Sequence, residues 1–270
     1  MEYRIKMVYH LYLNGAISAD NAFFNIHRKC LKKYHDLFEE ALFCIALDDA
    51  SDSQLIKMGV DFIMSCGPWK NLTIKIKQNT VYGDAQTFYD EIVSNIDNLD
   101  SMVFFAHGKG IRESDEGSVS QRQWIVFSYY ACLDNIEKKA ADLANYALVY
   151  GYAPTHNKGI ENTYHWFYPG TFFLFNPLKV SRYLKQNGMR APKLEDRYSA
   201  ERFWGNIYDV EKGANTYTVN FDNRSGWYFF CQNGVPNFYG INQVEFLKSF
   251  LGEDRTKEYV KFYEDIENEK

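Results

Sequence analysis

Two hydrophobic rhythms alternate along the first hundred residues. Short, dense apolar runs occupy Ile5–Leu13, Ala41–Leu47, Leu72–Lys77 and Met102–Ala106. Their length, β-branched and aromatic content and flanking turn residues predict strands. Between them, apolar residues recur at helical spacing over Ala22–Phe38, Ser53–Ser65 and Asp84–Ile96. Ser51 or Asp52 supplies a cap for the second of these helices. Further on, Gln121–Tyr146 predicts one long helix, with Trp124, Phe127, Ala131, Ile136, Ala140 and Leu143 on its apolar stripe. Ala147–Tyr152 and Gly170–Asn176 read as strands, Pro177–Gln186 and Arg197–Gly205 as helices. Thr216–Phe221 and Gly226–Cys231 are strand-like, and Gln243–Leu251 and Arg255–Glu267 are helical.

Strand and helix in strict alternation predict an α/β fold, with a mostly parallel central sheet and helices on both faces. The expected division is a main domain over 1–205 and a C-terminal extension over 206–270, packed on it through its apolar helix positions. Such sheets bind ligands at the carboxyl ends of their strands. Three groups fall there: Asn14-Gly15, Asp48-Asp49, and His107 with Lys109.

Composition narrows the classes. The net charge of −5 offers no basic footprint for a nucleic acid. The densest basic run, Arg28-Lys29-Cys30-Leu31-Lys32-Lys33, sits inside a helical pattern and reads as a solvated face. Five scattered cysteines with no CxxC imply free buried thiols in a reducing compartment. No stretch is long and apolar enough to span a bilayer, so the expected location is cytoplasmic, with the inner face of the membrane as the alternative. The aromatic content, 17%, serves a core and an amphipathic cleft equally well.

Candidate chemistry begins at Leu47-Asp48-Asp49-Ala50-Ser51-Asp52. A carboxylate at a strand end can accept hydrogen bonds from a ribose or a base. Helix capping accounts for one of these acids and leaves Asp48 or Asp49 for a ligand. The loop Asn79-Thr80-Val81-Tyr82-Gly83-Asp84 carries a glycine that permits a sharp turn or a close approach. After the fourth strand come His107-Gly108-Lys109-Gly110, with Arg112 close behind. Lys109 is a point charge suited to phosphate, and His107 can donate to phosphate or bind a metal.

This order of motifs resembles the nucleotide-binding half of the GT-A glycosyltransferases over about residues 3–205. More closely, it resembles small bacterial glycosyltransferases of capsular and surface polysaccharide clusters, related to rhamnan-synthesis proteins. In these an H-x-K-G motif, here His107-Gly108-Lys109-Gly110, replaces the usual DxD. The resemblance implies transfer of a hexosyl group from a nucleotide sugar, UDP-linked by expectation, to a polysaccharide or lipid-linked oligosaccharide. Asp48, Asp49, Asn79, His107, Lys109 and Arg112 then form the donor site. Lys109 would supply the positive charge that a DxD site takes from a metal. No cofactor is then required; Mn2+ or Mg2+ is the alternative, with His107 as a ligand beside Asp48, Asp49 or a downstream acid.

The aromatic stretch Tyr164–Phe173 follows, and it contains the Gly170-Thr171-Phe172-Phe173 that the resemblance places on the acceptor side. Trp166 and Tyr168 are expected to stack on sugar faces, and His165 and Thr171 to bond hydroxyls, while Phe172 and Phe173 read as core. For the catalytic base that an inverting transfer needs, the candidates are Asp196 and Glu201. Against them, Asp196 can cap the helix that follows, and Glu201 can pair with Arg197 at i, i+4. Expected partners are therefore a nucleotide-sugar donor and a glycan or lipid-linked glycan acceptor, with no nucleic acid and at most peripheral membrane contact; a homodimer is open. The rivals are a non-catalytic nucleotide-sugar or glycan-binding protein on the same scaffold, and an unrelated metal enzyme using His107. No G-x-S-x-G, Walker or G-x-G-x-x-G motif supports a hydrolase, a P-loop or a dinucleotide site.

Overall fold

The structure is a computed structural model. It describes residues 3–108, 111, 119–145, 149–151, 155–156, 166–167, 171–207 and 253–268, without the side chains of 119–121, 155–156 and 166–167. The elements in chain order are β1 (Ile5–Leu13), α1 (Ala22–Tyr34), β2 (Glu40–Leu47), α2 (Ser53–Ser65), β3 (Leu72–Gln78), α3 (Asp84–Glu91) and β4 (Met102–His107). There follow α4 (Val119–Leu133), α5 (Ile136–Asn145), β5 (Val149–Gly151), β6 (Thr155–His156), β7 (Trp166–Phe167) and β8 (Phe173–Phe175). Last come α6 (Pro177–Gln186), α7 (Ser199–Ile207) and α8 (Glu253–Asn268).

Among the described residues, six strands form one sheet in the order β3-β2-β1-β4-β8-β5, and β6 pairs with β7 in a separate ribbon. The sheet is parallel from β3 to β4. Strand β8 is antiparallel to both of its neighbours, β4 and β5. This is the expected α/β class with a mostly parallel sheet.

Each central strand serves two cores, which is why β1, β2 and β4 read as nearly continuous apolar runs. Met7, Tyr9, Leu11, Phe43, Ile45 and Phe104 face a core shared with α1, α2, α4 and α8. Val8, Leu42, Cys44, Val103, Phe105, Phe173 and Phe175 face a second core under α3, α6 and α7. Edge strand β3 alternates instead. Its Lys75 and Lys77 pair with Glu91 of α3, and such charges discourage further strand pairing at an edge.

Several boundaries moved from expectation. Helix α1 stops at Tyr34 and a single 3-10 turn, 35–37, delivers an extended Phe38 to β2. Helix α3 ends at Glu91, before a second short 3-10 turn at 93–95. The one long helix expected over Gln121–Tyr146 is two, α4 and α5. They are separated at Asn135, whose φ of 49° is the left-handed geometry that ends helices. Asn tolerates that geometry better than most residues, and apolar spacing alone carries no trace of it. The strand-like and helical stretches expected within 208–252 lie outside the described residues.

Helix α8 docks on α1 and α4. Tyr259, Phe262, Tyr263 and Ile266 are buried in the first core, and the Phe127 and Tyr259 rings meet edge to face at 4.8 Å. Cys30, Cys44, Cys66 and Cys132 are free and buried, and burial raises the pKa of each thiol. Among the described residues, no helix is long and apolar enough to cross a membrane.

Candidate functional site at the carboxyl edge of the sheet

The parallel register sets the site. His10 of β1 lies opposite His107 of β4 and Cys44 of β2. In a strand, residues two apart share a face. His10 and Tyr12 therefore point to the α3 side, together with His107 and, beyond the end of β2, Asp48. The chain reverses through Thr80–Gly83 and starts α3 above this row. Gly83 sits at φ 54° and supplies no side-chain cap, so Asp84 is left to bond elsewhere.

The acidic run divides by role. Asp52 caps α2, accepting from the backbone N–H groups of Gln54 and Leu55, each at 3.0 Å. Asp49 closes a local turn, accepting from Ser51 Oγ at 2.6 Å and Ser51 N at 2.9 Å. The Ser51 hydroxyl, then its backbone N–H, holds the Asp49 carboxyl below the ordinary value. Asp48 instead reaches across the sheet edge. It accepts from the Tyr12 hydroxyl at 2.6 Å and from Asn79 Nδ2 at 3.0 Å, while Gln78 Nε2 donates to its backbone carbonyl. Asp48 and Asn79, both named from sequence, are thus brought together, and Tyr12 joins them.

His107 ends β4 with its side chain only 18% exposed. Its Nδ1 lies 3.7 Å from Asp84 Oδ2, and Asp84 is as buried as its partner. The Thr171 hydroxyl donates to the same Oδ2 at 2.6 Å. One ring edge of His107 packs against Phe172, with centroids 5.8 Å apart. Beside it, His10 Nδ1 and Thr87 Oγ1 are 2.9 Å apart, a buried contact between β1 and α3.

Thr171 therefore differs from expectation. It is fully buried, and its hydroxyl is committed to Asp84, so it does not stand open for an acceptor hydroxyl. Phe172 and Phe173 are core residues, as expected. Trp166 lies in the β7 ribbon, against which α7 packs. Lys109, Arg112, His165 and Tyr168 lie outside the described residues.

Asp196 closes a turn just ahead of α7. It precedes α7, accepts from Tyr198 N at 2.8 Å and pairs with Arg202. It also stands near Tyr89, whose hydroxyl donates to the Lys193 carbonyl at 3.2 Å. Tyr89 is five residues along α3 from Asp84, about 7 Å down the axis. The pair formed here is Asp196–Arg202, while the Arg197 guanidinium lies over the Tyr198 ring. Glu201 is half-buried on the first turn of α7.

His10, Tyr12 and Thr87 escaped the sequence reading, and Asp84 was read only as part of the loop that starts at Asn79. A signal existed for the first two: polar residues at i and i+2 near the end of an otherwise apolar strand share one face. For Asp84 and Thr87 the relevant neighbours are far along the chain, and nothing local marks them. Among the described residues, no group of three or more His, Cys, Asp or Glu side chains is gathered to hold a metal ion.

These residues define an α/β protein with a polar, carboxylate- and imidazole-bearing cluster at the carboxyl edge of its parallel strands. No family model and no curated protein matches the chain. Among solved structures it is similar to 4-diphosphocytidyl-2C-methyl-D-erythritol synthase from Anaerococcus prevotii DSM 20548. That match has a TM-score of 0.40 and 11% identity, over 83% of this chain and 92% of the other. A second 4-diphosphocytidyl-2C-methyl-D-erythritol synthase gives 0.38 and 8%, over 92% and 99%. Likenesses this slight carry no conclusion about activity.

Proposed function

We propose that this chain is a GT-A-like glycosyltransferase. It moves a hexosyl group from a nucleotide sugar, UDP-linked, to a polysaccharide or lipid-linked oligosaccharide, with inversion. The observation that carries the reading is the pairing of two polar groups on one sheet edge. Asp48, held by Tyr12 and Asn79, suits the nucleoside, and His107, backed by Asp84, suits the diphosphate. Both stand where open α/β sheets bind ligands.

In this reading Asp48 accepts from the nucleoside, with Asp49 at its flank. His107, Lys109 and Arg112 offset the charge that gathers on the diphosphate as it leaves. Trp166, with His165 and Tyr168, shapes the acceptor side. The acceptor oxygen forms its bond to the anomeric carbon while the bond to the phosphate oxygen breaks. The electron pair leaves with the diphosphate, and the acceptor proton passes to a carboxylate. The candidates for that carboxylate are Asp196 and Glu201. The protein acts in the cytoplasm or at the inner face of the membrane.

The test is a thermal-shift screen against UDP-, GDP-, dTDP- and CMP-sugars, each with Mn2+ and with EDTA, followed by turnover assays on the nucleotide that binds. A ligand of the native state raises the melting temperature by mass action. Stabilisation by UDP-sugars that survives EDTA, with turnover, is expected. Stabilisation only with Mn2+ would overturn the metal-free account of the diphosphate site. Binding without turnover would leave a nucleotide-sugar-binding protein, and no shift with any sugar nucleotide would sink the donor site itself. Full activity in both Asp196→Asn and Glu201→Gln would remove the inverting assignment.

A further inference from the structure

The carboxylate of Asp84 has no role in capping its own helix, yet it is over four-fifths buried and meets two side chains from distant parts of the chain. We propose that Asp84 is the positioning residue for His107, with Thr171 as the lock that fixes Asp84; its part in donor binding rests on the reading above.

Three observations converge on this role. Asp84 Oδ2 faces His107 Nδ1 at 3.7 Å and accepts from Thr171 Oγ1 at 2.6 Å, so a single oxygen is fixed by the hydroxyl and presented to the ring. A carboxylate beside Nδ1 favours a proton on that nitrogen; with a diphosphate bound Nε2 carries a second proton, and the carboxylate offsets the charge of the imidazolium. Thr171 holds φ at 23°, a region that a β-branched residue rarely enters. Strain of this kind persists where surrounding contacts impose it, and it concentrates at functional sites. Its outcome here is a hydroxyl aimed at Asp84. Finally, Phe172 follows immediately and sets its ring against His107 at 5.8 Å, so one short segment fixes both the carboxylate and the imidazole. Phe172 is held in turn by Tyr129, at 5.2 Å.

The first arm of the test needs no substrate. Long-range proton–nitrogen spectra of the full chain report which ring nitrogen of His107 carries its proton. Nε2 is buried, so bulk water does not dictate the answer. The wild type is expected to hold the proton on Nδ1. In Asp84→Ala it should shift towards Nε2, and Thr171→Val should move the spectrum the same way, while Thr171→Ser retains the wild-type signature. Unchanged His107 shifts in both Asp84→Ala and Thr171→Val would overturn the positioning role. Thr171→Val keeps the test decisive if Asp84→Ala does not fold.

The second arm measures UDP-sugar binding by calorimetry. Asp84→Ala and Thr171→Val should each weaken it by about tenfold or more, as losing support for a charge-assisted hydrogen bond does, and Thr171→Ser should restore it. Binding by the wild type that is equally tight in both variants would refute the part in donor recognition. A tautomer shift in a wild type that binds no nucleotide would uphold the positioning role and reject the donor reading instead.

Discussion

Phe88 offers the sharpest test of how the site is held. It sits in the middle of α3 and is fully buried. Its ring meets Phe105 of β4 at 5.1 Å, Phe173 and Phe175 of β8 at 6.0 and 6.3 Å, and Phe203 of α7 at 5.2 Å. One side chain thus ties α3 to β4, which carries His107, to the neighbouring β8, and to the helix bearing Glu201. Truncating a buried Phe to Ala removes its transfer free energy and leaves a cavity, typically costing about 3–5 kcal/mol. These aromatic contacts and zero exposure put Phe88→Ala in that range. For a chain of this size the melting temperature should fall by roughly 6–20 °C, at roughly 2–4 °C per kcal/mol. Urea unfolding should show a lower midpoint with an unchanged slope. Asp84 lies one turn before Phe88 on the same face of α3. The variant, studied well below its melting point, should therefore also lose nucleotide-induced stabilisation. A loss of under about 1 kcal/mol, measured against the range above, would refute Phe88 as the tie. Full loss of stability with undiminished nucleotide binding would show that α3 is aligned by other contacts, with His10–Thr87 the first to examine.

Other expectations follow from single contacts. Burial alone would raise the Glu91 carboxyl, but Lys75 at 2.7 Å and Lys77 at 2.8 Å outweigh it and hold the group below its ordinary value. A depressed folded-state value contributes stability above the unfolded value of about 4.3 and loses it as pH falls through the folded one. The melting-temperature gap between wild type and Glu91→Gln should therefore close as pH falls from about 6 to about 3, and a constant gap would contradict the pairing. Asp196→Ala removes the acceptor for Tyr198 N and the Arg202 partner, and should cost about 1 kcal/mol, the usual net value of a lost hydrogen bond. If calorimetry finds no such loss while activity disappears, Asp196 acts as the base and not as a structural residue. The hydroxyls of Tyr9 and Tyr129 lie 3.0 and 2.9 Å from the same Nδ1 of fully buried His27. Tyr9→Phe and Tyr129→Phe should each cost about 1 kcal/mol, and the pair should depart from additivity by about 0.5 kcal/mol or more. Strict additivity in urea titrations would show that the two hydroxyls act independently.

The sequence by itself determined the local elements and the class. Ile5–Leu13, Ser53–Ser65 and Pro177–Gln186 were legible to the residue, because dense apolar runs, side-chain caps and Pro177 at a helix start act within a few positions. It also placed Asp48 and His107 at the carboxyl edge of a parallel sheet, since strand ends and βαβ connections are fixed by pattern and handedness. Tertiary structure decided the rest. It assigned Asp48, Asp49 and Asp52 to three different roles, which one run of acids cannot reveal. It split the long helix at Asn135, where a backbone angle mattered and apolar spacing was silent. It turned Thr171 away from an acceptor and onto Asp84, across 87 residues of chain. Periodicity records which face a residue takes; which distant residue it meets there depends on sheet order and on the packing of helices over the sheet.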